Sequence, residues 1–265
     1  MSQYDFRFER GSDGIAVLTL DRPDTLNSLT FEIYGQLERL FRDLEHDETT
    51  KVVVLTGHGR GFCSGGSVED IIGPLLESEL DDTLAFTRMT GAVVRHMLHL
   101  NKPIVAAVNG IAAGAGAVLA LASDLRVMAD TAKFAFLFTK VGLTGADMGA
   151  AWLLPKIVGT GRAMEILMLG DKLTADESLR IGLANKVVPA DAVLGEAMAL
   201  ARRLAAGPGL ALAMTKKMVW NEWPMDLDAA IEQEAQAQAL LLRAHDHREF
   251  YNAWMEKRDP RFLGR

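Results

Sequence analysis

Residues 103–124 read PIVAAVNGIAAGAGAVLALASD. The first part, residues 103–108, is a short run of β-branched and small residues of the kind that enters a core as a buried strand. The middle, Ala112, Ala113, Gly114, Ala115 and Gly116, is nearly free of side chains, and the chain then resumes as an apolar run of helical length. The reading is strand, small-residue bend, buried helix. Such a bend lets the reacting atoms of a ligand approach the backbone. The helix start adds unpaired N–H groups and the positive end of the macrodipole, which suits a fixed or developing negative charge. The same composition also fits a core helix packed tightly on a strand, so this stretch by itself leaves both readings open. A second loop of the same kind lies upstream: GHGRGFCSGG, residues 57–66, follows the buried run at 52–56.

Around these loops the composition is that of a globular chain. Of 265 residues, 49% are hydrophobic and 24% charged, which argues against disorder. A formal net charge of −7 argues against a nucleic-acid surface and leaves any polyanionic ligand to local donors. No run is long enough to span a membrane, and the opening MSQYDFRFER has no apolar leader-like segment. A single cysteine excludes an internal disulfide framework and fits a reducing cytoplasm. No spacing of potential ligands suggests a metal site.

Residues 4–10 alternate as a half-buried strand, Asp13-Gly14 signals a turn, and residues 15–20 make a second strand. Residues 27–44 are amphipathic with helical spacing, and 69–80 and 82–100 read as helices, the first interrupted by Gly73-Pro74. After the 103–124 unit come strands at 125–128 and 133–138 and a third small-residue loop, 142–149. Helices are then expected at 150–157, 162–169, 175–181, 192–205, 209–221 and 227–244. The order is mixed α/β for residues 1–200 and helical for 201–265, the latter suited to oligomerisation and site closure.

Two glycine-rich loops, each after a buried strand, can each present one backbone N–H to a single oxygen and so stabilise an enolate or a tetrahedral intermediate. Here the residues resemble the crotonase superfamily, the enoyl-CoA hydratase/isomerase family. The matching stretches are VLTLDRPDTLNSL (17–29), GRGFCSGGSVEDI (59–71), KPIVAAVNGIAAGAGAVLALASDLRV (102–127), GLTGADMGAAWLLPKIVG (142–159) and MEKRDPRF (255–262). The resemblance implies a core of repeated ββα units with a C-terminal helical region, assembled as a homotrimer or dimer of trimers. It implies an acyl-CoA thioester as ligand, with no tightly bound cofactor. By position, the oxyanion donors are the N–H groups of Gly66 and Ala115; Ala115 stands where glycine is usual, and a negative φ there preserves the role. Thr25 and Leu26, with Arg22 nearby, fall in the segment that lines the CoA groove. Ser64, Gly65, Ser67 and Val68 pass beside the pantetheine and thioester, next to Gly114 of the second loop. Lys257 and Arg258 either reach the CoA phosphates or are solvated surface charges.

The pattern breaks at the acid/base positions. Hydratases of the family resemble one another in carrying two glutamates, and those positions here are Val118 and Phe138, neither able to exchange a proton. No carboxylate lies between Asp130 and Asp147. Asp147, in the 142–149 loop, is the remaining candidate; isomerases and dehalogenases of the family are similar in placing an aspartate there. Asp147 is read either as a proton carrier or as a cap of the following helix. His96 and His99 fit a helix face better than the site, Glu69 and Asp70 suit a helix N-terminus, and Cys63 fits a packed thiol. Lys140, beside Thr139, would need desolvation to act as a base. The expectation is an isomerase-type proton shuttle by Asp147 beside an apolar acyl pocket of Val118, Leu137 and Phe138. An atypical hydratase and a non-catalytic acyl-CoA-binding protein are the alternatives.

Overall fold

Six consecutive strands, over residues 52–135, alternate between two sheets, and that alternation sets where the loops meet. The computed structural model describes residues 4–265; Met1–Gln3 of the opening stretch lie outside the described residues. The chain opens with the hairpin β1 (Arg7–Arg10) and β2 (Ile15–Leu20), in which Arg7 faces Thr19. Helix α1 (Phe31–Leu44) follows, started by the Thr30 hydroxyl, which accepts the Ile33 N–H at 3.2 Å. Its buried side, Ile33, Tyr34, Leu37, Leu40, Phe41 and Leu44, carries the expected helical stripe. Then come β3 (Val52–Gly57), β4 (Gly61–Cys63), α2 (Gly73–Leu76) and α3 (Leu80–His99). The central unit is β5 (Ile104–Val108), β6 (Ile111–Ala113) and α4 (Ala115–Ala122), followed by β7 (Leu125–Ala129) and β8 (Lys133–Ala135). The rest is α5 (Ala150–Val158), α6 (Thr160–Leu169), β9 (Lys172–Thr174), α7 (Ala175–Arg180) and β10 (Lys186–Val188). It ends with α8 (Val193–Ala205), α9 (Gly209–Asn221), α10 (Leu227–Leu241) and α11 (His245–Glu256).

The larger sheet runs β1-β2-β3-β5-β7-β10 and is parallel after its first pair; the smaller runs β4-β6-β8-β9, with β9 antiparallel at the edge. Each of the pairs β3–β4, β5–β6 and β7–β8 therefore leaves the large sheet and enters the small one. Helices return the chain to the large sheet directly after the first two pairs, and after the third only once β9 has joined the edge of the small sheet. This is the repeated ββα core that the sequence led us to expect. All residues of β3 and β5 are buried, as parallel strands covered on both faces must be. Helix α8 packs across β2, β3, β5 and β7 and runs unbroken through residue 200, so the chain leaves the sheet only at the turn after Ala205.

Side-chain amides hold the corners between the sheets. Asn27 Nδ2 donates to the carbonyls of His58 (2.9 Å) and Gly61 (2.8 Å), and Asn109 Nδ2 to those of Gly59 (3.0 Å) and Gly61 (3.1 Å). Asn27 adopts φ 60° beside Leu26 at φ 54°, so the helix expected from residue 27 begins only at Phe31. Other expectations are corrected in the same way. Ala112 and Ala113 belong to a strand, not a bend, and residues 61–63 of the second loop are strand as well. The 133–138 strand stops at Ala135 because the next residues coil into a 3-10 turn, Leu137–Val141, so Phe138 sits on a turn. Gly73-Pro74 splits the 69–80 helix into a π turn, Val68–Ile72, and α2.

Candidate active site

The two small-residue loops meet at one point. The first leaves β4 and pairs with the segment after β2: Ser64 N donates to Leu26 O (2.9 Å), Leu29 N to Gly65 O (2.8 Å), and Ser67 N to Leu29 O (2.8 Å). Gly66 bridges Leu29 with its own N–H facing away from this ladder, and among the described residues that N–H has no acceptor. The second loop turns at Gly114 (φ 51°, ψ −123°), whose N–H is held by Ala135 O at 2.8 Å. Ala115 N–H, the first of α4, likewise finds no acceptor among the described residues, and Ala115 is absent from the residues with positive φ. The loops touch: a Cβ on Gly65 would stand 3.0 Å from Ala113 O and 3.5 Å from Ala115 N. One residue further on, a Cβ at Gly116 would collide with Cys63 O at 2.3 Å, so only glycine lets α4 lie this close to β4. The result is two unpaired main-chain donors at one junction, a place for an oxygen that gains negative charge.

Apolar groups line the acid/base side. Val118 is fully buried on α4, and Phe138 brings its Cε1 to 4.0 Å from where a Gly114 Cβ would be, while Leu137 is half-buried. The 142–149 loop supplies the carboxylate. Gly145 lies tight under Leu167, and Met148 is buried at φ 49°, which fixes the loop on both sides of Asp147. Asp147 does not cap α5: the N-cap position is Gly149, with no side-chain hydrogen bond, and only the Asp147 main-chain carbonyl takes part, accepting Ala150 N–H at 2.8 Å. The carboxyl is half-buried, and that burial raises its pKa above the ordinary aspartate value, while the Met148 amide pulls the other way.

One group at this junction was not foreseen. Tyr34 reaches in from α1, is 3% exposed, and puts its hydroxyl 4.0 Å from where a Gly66 Cβ would be. Its pKa is raised well above the ordinary phenol value, first by burial, then by Cys63 and then by Asp147. The only clue in the sequence was a hydroxyl inside an otherwise hydrocarbon helical stripe.

Other expected residues make contacts within the protein or lie exposed at its surface. Arg22 gives Nη1 to Ser28 O (3.1 Å) and Nη2 to Asp70 (3.1 Å), and the open groove of about 870 Å³ beside it is lined by Asp5, Glu32, Glu69 and Asp70. That guanidinium ties two loops together amid acidic side chains. Thr25 is exposed, and its carbonyl accepts the Ser64 hydroxyl (2.8 Å); Leu26 is half-buried. Ser67 caps the turn that follows it by accepting Asp70 N–H at 3.1 Å, and Val68 is 73% exposed. His96 pairs with Glu38 at 3.2 Å and His99 is exposed. Lys140 is tied to Asp171 at the surface (2.6 Å), and Arg258 to Glu249 and Glu256, while Lys257 is exposed. Cys63 is fully buried with its pKa pushed up to about 12, first by burial, so it stays a thiol. Among the described residues no cluster of three or more His, Cys, Asp or Glu could hold a metal, and no helix is long and apolar enough to cross a membrane.

Two main-chain amides without acceptors among the described residues, at the junction of an interleaved two-sheet core, suit an oxygen that gains negative charge. The enoyl-CoA hydratase/isomerase family model matches residues 10–265. The chain is 37% identical over 261 residues to 1,2-epoxyphenylacetyl-CoA isomerase of Escherichia coli K12, covering 98% of this chain and 99% of that one. It is 31% identical over 252 residues to crotonyl-CoA hydratase of Syntrophomonas wolfei, covering 95% of each. The crystal structure of an enoyl-CoA hydratase homologue from Streptomyces coelicolor A3(2) superposes with a TM-score of 0.97 at 50% identity, covering 100% of this chain and 96% of that one. The chain belongs to the enoyl-CoA hydratase/isomerase family, enzymes that process acyl-CoA thioesters.

Proposed function

We propose that this enzyme is an isomerase-type proton shuttle acting on an acyl-CoA thioester. The thioester oxygen accepts the N–H groups of Gly66 and Ala115. Asp147 removes a proton from the α-carbon of an unsaturated acyl chain, and the electron pair moves into an enolate on that oxygen. The protonated Asp147, whose proton trades with solvent in the intermediate, then delivers a proton to the γ-carbon, the double bond shifts, and the carboxylate is restored. What supports this reading over hydration is a half-buried carboxyl whose pKa burial raises, together with apolar Val118 and Phe138 where the family resemblance puts the hydratase glutamates. A single acid/base suffices for isomerisation, while adding water across a double bond calls for a group to activate the water and another to protonate the carbon. The names of the relatives divide between the two reactions, an isomerase and a hydratase.

The CoA moiety arrives with the substrate, and no resident cofactor enters the scheme. Val118, Leu137 and Phe138 form the wall of the acyl pocket. Residues 201–265 serve assembly into a trimer or dimer of trimers, in line with exposed Trp223 in the turn between α9 and α10 and exposed Leu240, Tyr251, Trp254 and Met255 on the last two helices. We assign the cytoplasm as its compartment. The test is deuterium uptake from heavy water at the acyl carbons, followed by mass spectrometry. Wild type should exchange and Asp147→Asn should not. Exchange that survives the substitution removes Asp147 from the scheme; water addition by the wild type favours the hydratase, and inertness toward every acyl-CoA tried favours a binding protein.

A further inference from the structure

The enclosed face of α1 contributes a phenol to the site that the proton shuttle leaves without a task. Tyr34 packs its ring edge-on against Phe86 at a centroid distance of 5.6 Å and is 3% exposed as a residue. Its hydroxyl makes no hydrogen bond with any described residue, yet the oxygen is not among the sealed, orphaned polar atoms and so keeps contact with open space. That space is the junction beside Gly66, where the two small-residue loops meet. The hydroxyl is therefore an unused donor aimed into the place where the acyl group must lie. An all-hydrocarbon chain seated there would strip the phenol of water and give nothing back, which is unfavourable for a buried polar group. The thioester oxygen already has two main-chain donors.

We infer that Tyr34 is a specificity residue whose hydroxyl donates to an oxygen carried by the acyl group itself, so that the substrate class is oxygen-bearing acyl-CoA thioesters rather than plain hydrocarbon ones. The inference deepens the proposed function and rests on the same acyl site. Burial keeps the phenol protonated at neutral pH, which suits a donor and excludes it as a base.

Binding separates this inference from the proton chemistry. Saturated hexanoyl-CoA is compared calorimetrically with hexanoyl-CoA esters bearing one hydroxyl at successive carbons beyond the β-carbon. Wild type should bind at least one hydroxylated ester about tenfold or more tighter than the parent. Tyr34→Phe, which keeps the ring against Phe86, should abolish that preference while leaving the affinity for hexanoyl-CoA unchanged or improved. A wild type without preference overturns the inference, whatever the variant does. So does a Tyr34→Phe variant that weakens all esters alike, the result expected of a third thioester donor or of a packing role. Because these esters are not turned over, the outcome is independent of the Asp147→Asn exchange test, and either reading can fail while the other stands.

Discussion

A carboxyl whose pKa burial raises is a stronger proton acceptor than a solvated one, and the proposed scheme has Asp147 use that difference. Asp147→Asn should lower kcat by about 10²–10⁴-fold in a steady-state isomerisation assay. In wild type, the base form disappears as pH falls through the raised pKa. The acid limb of the kcat profile should therefore lie above the ordinary aspartate range. The sign for stability is opposite to that for activity. An acid whose folded pKa exceeds its unfolded value destabilises the native state once ionised, so Asp147→Asn should leave the melting temperature unchanged or raised at neutral pH. Asp47 is the contrasting case. Its carboxylate accepts Thr49 N (2.8 Å), Thr49 Oγ1 (2.6 Å), Thr50 Oγ1 (2.7 Å) and Arg10 Nε (3.3 Å). Although burial opposes it, these donors, with Thr49 and Thr50 first, hold its pKa well below the usual carboxylate range. Stability from a depressed acid is present above the unfolded pKa and lost as pH falls toward the folded one. Asp47→Ala should thus cost about 1–3 kcal/mol near neutrality by urea denaturation, with the deficit shrinking in acid. At this scale Asp147 stood out as a candidate because no other carboxylate lies in residues 131–146, whereas Tyr34 did not stand out. Helical spacing says that a side chain faces the core, and it carries no information on where a terminal hydroxyl emerges.

Between elements, the decisive contact is α4 against β4. Gly116 faces Cys63 O and Cβ, where an added methyl would lie 2.3 Å and 2.6 Å away. The obstacle is largely backbone, which has no rotamer to yield. Gly116→Ala should destabilise the fold by about 1–3 kcal/mol or more, measured by thermal unfolding. The same wedge would part the loops bearing Gly66 and Ala115, and a displacement near 1 Å there should lower kcat by about 10²-fold. The long elements were readable in advance because their periodicity spans several turns, as in α1. The short ones were not. Three residues such as Ile111–Ala113 or Gly61–Cys63 cannot establish a two-residue period, and their glycines and alanines read equally well as loop. Helix α11 escaped for another reason: HDHREFYNAWME is polar on average and buries only Asp246 and Ala253, so its apolar signal is weak. Asp246 nevertheless accepts Leu263 N and Gly264 N at 2.8 Å each, which fastens the C-terminal tail to that helix.

Across the whole molecule, the C-terminal helices must be secured to a core whose strands end near residue 188, and a buried lysine makes that connection. Lys216 on α9 donates Nζ to Met97 O at the end of α3 (2.9 Å), to Lys102 O before β5 (3.1 Å) and to Asp124 Oδ2 after α4 (2.9 Å). Asp124 in turn accepts Ile104 N at 2.7 Å, so one side-chain pair joins three segments around the central unit. The side chain of Lys216 is 8% exposed and that of Asp124 20%. Burial lowers the lysine pKa and raises the aspartate pKa, each opposed by attraction to the other, so neither charge is comfortable without its partner. Lys216→Ala strands the carboxylate and two main-chain carbonyls together, and should cost about 3–5 kcal/mol in chemical denaturation. Adding Asp124→Asn removes the orphaned charge while its amide oxygen still accepts Ile104 N–H, and should recover part of that loss. Limited proteolysis reports the same event locally: cleavage in residues 206–226 should accelerate in Lys216→Ala and slow again in the double variant. A single variant as stable and as resistant as wild type would show that apolar packing alone secures these helices.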